Sequence, residues 1–100
     1  MQKRLELKFY GQVQGVGLRW KIQVKAKELA LVGWVKNCPE GAVEAVVEGL
    51  DHKLQNFLSW CYNSGINIDL LETHLGEATN EFNDFNSALS KLINEASQSQ

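Results

Sequence analysis

The sequence is poor in the residues that staple or coordinate small proteins. It contains two cysteines, Cys38 and Cys61. Two cysteines do not make a disulfide scaffold in a chain with 44% hydrophobic residues. Whether they pair depends on a separation in space that the sequence does not encode. No Cys-x-x-Cys occurs, and His52 and His74 stand far apart, so a structural zinc site has no support. No apolar run approaches the ~20 residues needed to span a bilayer. The N-terminal stretch alternates Leu5 and Leu7 with charged residues, leaving no apolar segment for a signal peptide. Neither sign of charge dominates: 10 basic and 12 acidic residues give a net −2. That balance offers no broad reason to bind nucleic acid or an anionic membrane. These absences predict a cytoplasmic protein with reduced thiols.

What remains is ordinary globular composition over 100 residues, enough for one domain with one core. Leu5, Leu7 and Phe9 alternate with Glu6, Lys8 and Tyr10, the pattern of a strand with one buried face. Three glycines then fall within residues 11–17 and interrupt any regular element. The next segment carries two patterns. Leu18, Trp20, Ile22, Val24 and Ala26 alternate like a strand, while Ile22, Ala26, Leu29 and Ala30 share one helical face. The room between Gly17 and Gly33, about four turns, tips the balance slightly toward a helix.

Trp34 to Cys38 forms a short strand, Pro39-Glu40-Gly41 a turn, and the alternation of Val43, Ala45 and Val47 a second strand, making a hairpin. Asp51 suits the cap of a second helix whose apolar face is Leu54, Phe57, Leu58 and Cys61, with Gly65 as its stop. A further strand begins at Ile66 to Leu71, and a short edge strand falls near residues 82–87. Residues 88–96 are able to extend as a short helix, and the polar end frays. The resulting expectation is an α+β, ferredoxin-like β-α-β-β-α-β sandwich, with an antiparallel sheet and two helices on one face. Residues 1–88 form the single domain and 89–100 a loose tail.

The chemistry points to the first strand-to-helix junction. A glycine-rich turn before a helix aligns several backbone N–H groups, and the helix dipole adds positive potential, a combination that suits an anion. Arg19 falls in that first turn, where a cation is disfavoured unless an anion lies between it and the amides. Its planar fork can bond two phosphate oxygens. The loop is neither a dinucleotide fingerprint, lacking the third glycine, nor a nucleotide P-loop, lacking Gly-Lys-Ser/Thr. Taken singly, such a loop is usually a tight turn, Arg19 a solvated side chain, Asn37 a turn former and Trp34 a core residue.

Together, however, Gly11-x-Val13-Gln14-Gly15-Val16-Gly17-Leu18-Arg19 closely resembles the first signature of the acylphosphatase family. Gly33-Trp34-Val35-Lys36-Asn37 resembles its second, and the likeness extends over residues 5–86. The resemblance implies an enzyme that hydrolyses small acyl phosphates to carboxylate and inorganic phosphate. The main chain of Gly15, Val16, Gly17, Leu18 and Arg19, with the Arg19 side chain, would bind the phosphate. Asn37 would orient the attacking water. No metal, cofactor, nucleic acid or membrane is implied, and a monomer is the default. Leu18 stands where the family has phenylalanine, residues 65–69 lack its usual prolines, and Ser87 interrupts the last strand. These departures motivate the alternative of a phosphate- or carboxylate-binding module of the same fold without useful turnover. A ferredoxin-like RNA binder fits poorly, because residues 43–48 are acidic and carry no aromatic.

Overall fold

The computed structural model describes residues 1–87, so the expectations for a helix over 88–96 and a loose tail over 89–100 lie outside the described residues. The chain forms β1 (Gln2–Gly11), α1 (Leu18–Glu28), β2 (Val32–Asn37), β3 (Val43–Leu50), α2 (Asp51–Tyr62), β4 (Ile68–Glu77) and β5 (Phe85–Ser87). The first six elements are the expected β-α-β-β-α-β order. Their strands lie β4-β1-β3-β2, antiparallel at every joint. β5 then joins the β2 edge and runs parallel to it, the one parallel pairing in the described sheet. Only Phe85, Asn86 and Ser87 of the expected edge strand form it; Phe82 stays outside, with the Arg4 guanidinium over its ring at 5.8 Å.

One core lies between the sheet and the helices. Leu5, Leu7 and Phe9 of β1 meet Val43, Ala45 and Val47 of β3 and Val35 of β2, the alternate residues that share a sheet face. α1 covers them with Leu18, Ile22 and Ala26, and α2 with Leu54, Phe57 and Cys61. Burying each of the larger side chains contributes about 1.5–3 kcal/mol. The ambiguity over residues 18–30 is thereby resolved. Of the expected helical face, Ile22 and Ala26 are buried, joined by Leu18, while Leu29 and Ala30 fall beyond the helix, Leu29 as its capping residue and Ala30 in a left-handed turn; Trp20 and Val24 of the strand-like alternation are 67% and 46% exposed.

Three local expectations are corrected. Asp51 does not cap α2: Leu50 is the capping residue, and Asp51 begins the helix with its N–H donated to Met1 O at 3.1 Å. Its carboxylate still lies in the first turn, where the dipole favours it. At the other end Asn63 closes the helix, its N–H donating to Trp60 O, and Gly65 comes later, as a left-handed residue leading to β4. Trp34 is not core. It occupies the face of β2 opposite Val35 and is half-buried, with Lys36 Nζ 5.2 Å from its ring centre. Beside it Gly33 is obligatory, since its φ is 138° and a Cβ there would sit 1.9 Å from Val46 O.

Glu48 is the one buried charged residue among those described, 1% exposed. Its carboxylate accepts the N–H groups of Thr79 and Asn80, each at 3.0 Å, the Thr79 hydroxyl at 2.8 Å and Arg4 Nη1 at 3.1 Å. These bonds fix the connection from β4 to β5 against β3.

Candidate active site

β1 ends at Gly11, and the chain reaches α1 through a loop that Val13 anchors in the core. Gly15 and Gly17 hold φ values of 74° and 79°, left-handed conformations that glycine adopts without a Cβ penalty. Gly17 is also the capping residue of α1, so no side chain caps the helix, and no acidic residue occupies its first turn. The first intrahelical bond runs from Lys21 N–H to Gly17 O at 3.0 Å. The amides of Leu18, Arg19 and Trp20 therefore precede any intrahelical partner and point to the positive end of the dipole. Leu18 packs beneath the loop at 1% exposure, as a smaller substitute for an aromatic would.

A cleft of about 150 Å³ opens at this helix start. Gly15, Gly17, Leu18 and Arg19 line it, together with Trp20, Val13 and Asn37. The fold thus brings together Arg19 and Asn37, eighteen positions apart in sequence. Of the residues predicted to contribute, Val16 does not line the cleft and is exposed.

Asn37 is the last residue of β2, paired in register with Val43. Immediately beyond it the chain turns tightly: Cys38 N–H donates to Ala42 O at 2.8 Å and Gly41 N–H to Cys38 O at 3.0 Å. Gln14, from the glycine loop, reaches across and donates Nε2 to both carbonyls, Cys38 O at 2.8 Å and Ala42 O at 2.9 Å. The loop that carries Arg19 and the turn that follows Asn37 are thereby joined by one side chain. This role was not legible in the sequence. Gln14 was visible only as a letter of the motif, because a long-range amide bridge leaves no periodic trace.

A second tie comes from the sheet. Lys8 Nζ lies 2.9 Å from Glu40 Oε1 of the same turn; the hydrogen bond raises the lysine above its ordinary pKa, and the same bond lowers that of Glu40. Cys38 and Cys61 are both free and buried. Burial, reinforced by Glu44 and Glu40, raises the Cys38 thiol, and burial pushes Cys61 up to about 12. Neither is a ready thiolate near neutrality. Among the described residues no three His, Cys, Asp or Glu side chains gather as metal ligands would, and no helix is long and apolar enough to cross a membrane.

The element order and sheet define a ferredoxin-like α+β sandwich with a cleft at the start of its first helix. Within that class, the chain belongs to the acylphosphatase family, whose model matches residues 5–87. It is 42% identical over 84 residues to an acylphosphatase of Marinobacter nauticus, a match covering 82% of this chain and 91% of that one. To an acylphosphatase of Thermococcus kodakarensis it is 44% identical over 59 residues, covering 59% of this chain and 65% of the relative, so here it spans a little under two thirds of the relative's length. The crystal structure of acylphosphatase from Bacillus subtilis matches with a TM-score of 0.80 and 29% identity, over 85% of this chain and 97% of that one.

Proposed function

We propose that the chain is an acylphosphatase, hydrolysing the carboxyl–phosphate bond of small acyl phosphates to a carboxylate and inorganic phosphate. The observation that carries the reading is that Arg19 and Asn37 line one small cleft at an uncapped helix start. In it the phosphate accepts the loop and helix amides of residues 15–19 and the Arg19 guanidinium, which offset its charge. Asn37 holds a water through its side-chain amide. The water oxygen bonds to phosphorus as the bond from phosphorus to the acyl oxygen breaks. The electron pair leaves with the carboxylate, and the water's proton passes to a phosphate oxygen. The carboxylate is already a good leaving group and the transition state is loose, so positioning and charge stabilisation supply the rate without a side-chain nucleophile. Neutralisation is assigned to Arg19 and the amides, with no cofactor. A cytoplasmic monomer that takes no nucleic acid completes the proposal.

The test is hydrolysis of benzoyl phosphate with a chelator present, in wild type, Arg19→Ala and Asn37→Ala, each checked for folding by circular dichroism. Wild type turns over, and each variant loses about 10²–10³-fold in kcat, the scale for removing one preorganised donor. A folded wild type that binds phosphate but does not turn over would instead identify a binding module. Activity retained in Asn37→Ala would move water positioning to another group.

A further inference from the structure

We propose that Lys8 is a positioning residue for the hydrolysis: its ion pair with Glu40 holds the turn that follows Asn37 and so keeps the attacking water aligned. This inference rests on the reading of Asn37 as the residue that holds that water.

Asn37 is held by a strand on one side. It ends β2 and pairs with Val43 of β3, whereas β5, among the described residues, reaches only as far as Val35. Beyond Asn37 the turn is closed by its own backbone, with Cys38 N–H donating to Ala42 O and Gly41 N–H to Cys38 O. Those bonds set the shape of the turn. Its tilt against the sheet is left to side chains that reach it from other elements. Gln14 does so from the glycine loop. Lys8 does so from β1, on the face of the sheet away from the helices, because Leu7 and Phe9 on either side of it point into the core. Its Nζ comes within 2.9 Å of Glu40 Oε1.

The surrounding charges leave Lys8 to Glu40. In register it faces two other acids, Glu44 of β3 and Glu72 of β4. Each has a partner of its own: Lys36 Nζ lies 3.4 Å from Glu44, and the Tyr10 hydroxyl donates to Glu72 at 2.8 Å. The Lys8 ammonium also sits 5.5 Å from the centre of the Tyr10 ring. An exposed ion pair contributes little when two long side chains must be ordered to form it. Here the lysine is partly buried among these neighbours, so less freedom is lost. Glu40 lies within the turn itself. Its carboxylate is held below the ordinary glutamate range by Lys8 first, and also by its own N–H and the Cys38 thiol. Cys38 directly follows Asn37, so the carboxylate joins β1 to the chain beside the side-chain amide that holds the water. The phosphate is bound on the other loop, by the amides of residues 15–19 and Arg19. Loss of the ion pair should therefore disturb alignment and spare phosphate affinity.

The experiment measures kcat for benzoyl phosphate and competitive inhibition by inorganic phosphate in wild type, Lys8→Met, Glu40→Gln, the double variant and Lys8→Arg, with urea midpoints for each. Lys8→Met and Glu40→Gln should each lower kcat about fivefold, a small part of what a full misplacement costs. The double variant should fall no further than either single one, as coupled partners do. Inhibition by phosphate and the urea midpoints should stay nearly unchanged, and Lys8→Arg, which keeps the cation, should keep most of kcat. Wild-type kcat in both single variants, additive losses in the double variant, or an equal loss in Lys8→Arg overturns the positioning role alone. So does a kcat loss matched by weaker phosphate inhibition, which would place Lys8 in the field of the phosphate cleft. Absence of turnover in folded wild type overturns the hydrolytic reading and the positioning role with it.

Discussion

Gln14 donates both protons of its side-chain amide to one turn, and that turn begins one residue after Asn37. The two carbonyls have other partners as well, Gly41 N–H and Cys38 N–H, so neither is orphaned when the glutamine is removed. Stability should therefore fall only by the net worth of such bonds, about 0.5–1.5 kcal/mol. Geometry should suffer more, because this side chain joins the Arg19 loop to the turn that follows Asn37. Gln14→Ala is expected to lower kcat by about 10–100-fold, the scale of a misplacement near 1 Å, with inhibition by phosphate little changed. Gln14→Glu keeps the size but faces the carbonyls with acceptors and should behave like alanine. Restoration of kcat by glutamate would mean that the residue merely fills space. Legibility divides in the same way at this scale. Arg19 and the glycines were readable because a cation at a helix start and left-handed turns each have a local physical signature. Gln14 was not, since its meaning lies in partners 24 and 28 positions away.

At the scale of elements, the connection between β4 and β5 depends on a carboxylate that alternation hides. Glu48 occupies the polar phase of β3, opposite in face to Val47, and would be read as solvated. It is buried because the 79–80 segment folds over it and supplies donors. Burial pushes its pKa up, but the bonds from Thr79, Asn80 and Arg4 outweigh burial and hold it below the ordinary glutamate value. The sign of the linkage follows. A depressed folded pKa gives stability that is complete above the unfolded pKa, near 4.3, and is lost as pH falls through the folded value. Glu48→Ala, which leaves the Thr79 and Asn80 N–H groups without their acceptor and Arg4 with Glu6 and Glu81 alone, should cost about 3 kcal/mol at neutral pH. The sharper comparison is Glu48→Gln by urea denaturation. Its deficit relative to wild type should be present at pH 7 and shrink below about pH 4, as wild-type Glu48 itself takes up a proton. A deficit of the same size at both ends would assign the effect to packing. The elements with one wet face, β1 and α2, were legible in outline because half-burial imposes a period. The cap of α2 was not, because Leu50 acts through its backbone conformation alone.

The whole molecule is closed by its last described strand, and closure can be separated from catalysis. A period of two announces a strand but not its neighbour, so the parallel pairing of β5 with β2 was invisible in the sequence. It follows the path of the chain: β4 ends beside the start of β1, the connection passes Glu48 near the end of β3, and β5 begins beside the start of β2 and so runs with it. Phe85 carries that closure. It is fully buried in the common core, and its backbone pairs at Gly33, the start of β2. Asn37 stands at the other end of the same strand, beyond the reach of β5, and is held by its pairing with Val43 of β3. Truncation at Phe85 should therefore weaken the fold while leaving the cleft intact. Phe85→Ala is expected to cost about 3–5 kcal/mol, and Phe85→Leu, which keeps most of the apolar volume, markedly less. Both should show a lowered unfolding midpoint yet near-normal kcat per folded molecule when assayed well below that midpoint. This is the reverse of Gln14→Ala, which should leave the midpoint nearly in place and lose kcat. If Phe85→Leu instead lost turnover at a temperature where it remains folded, the alignment of β2 would depend on both of its neighbours, and β5 would belong to the positioning of Asn37 as much as Gln14 does.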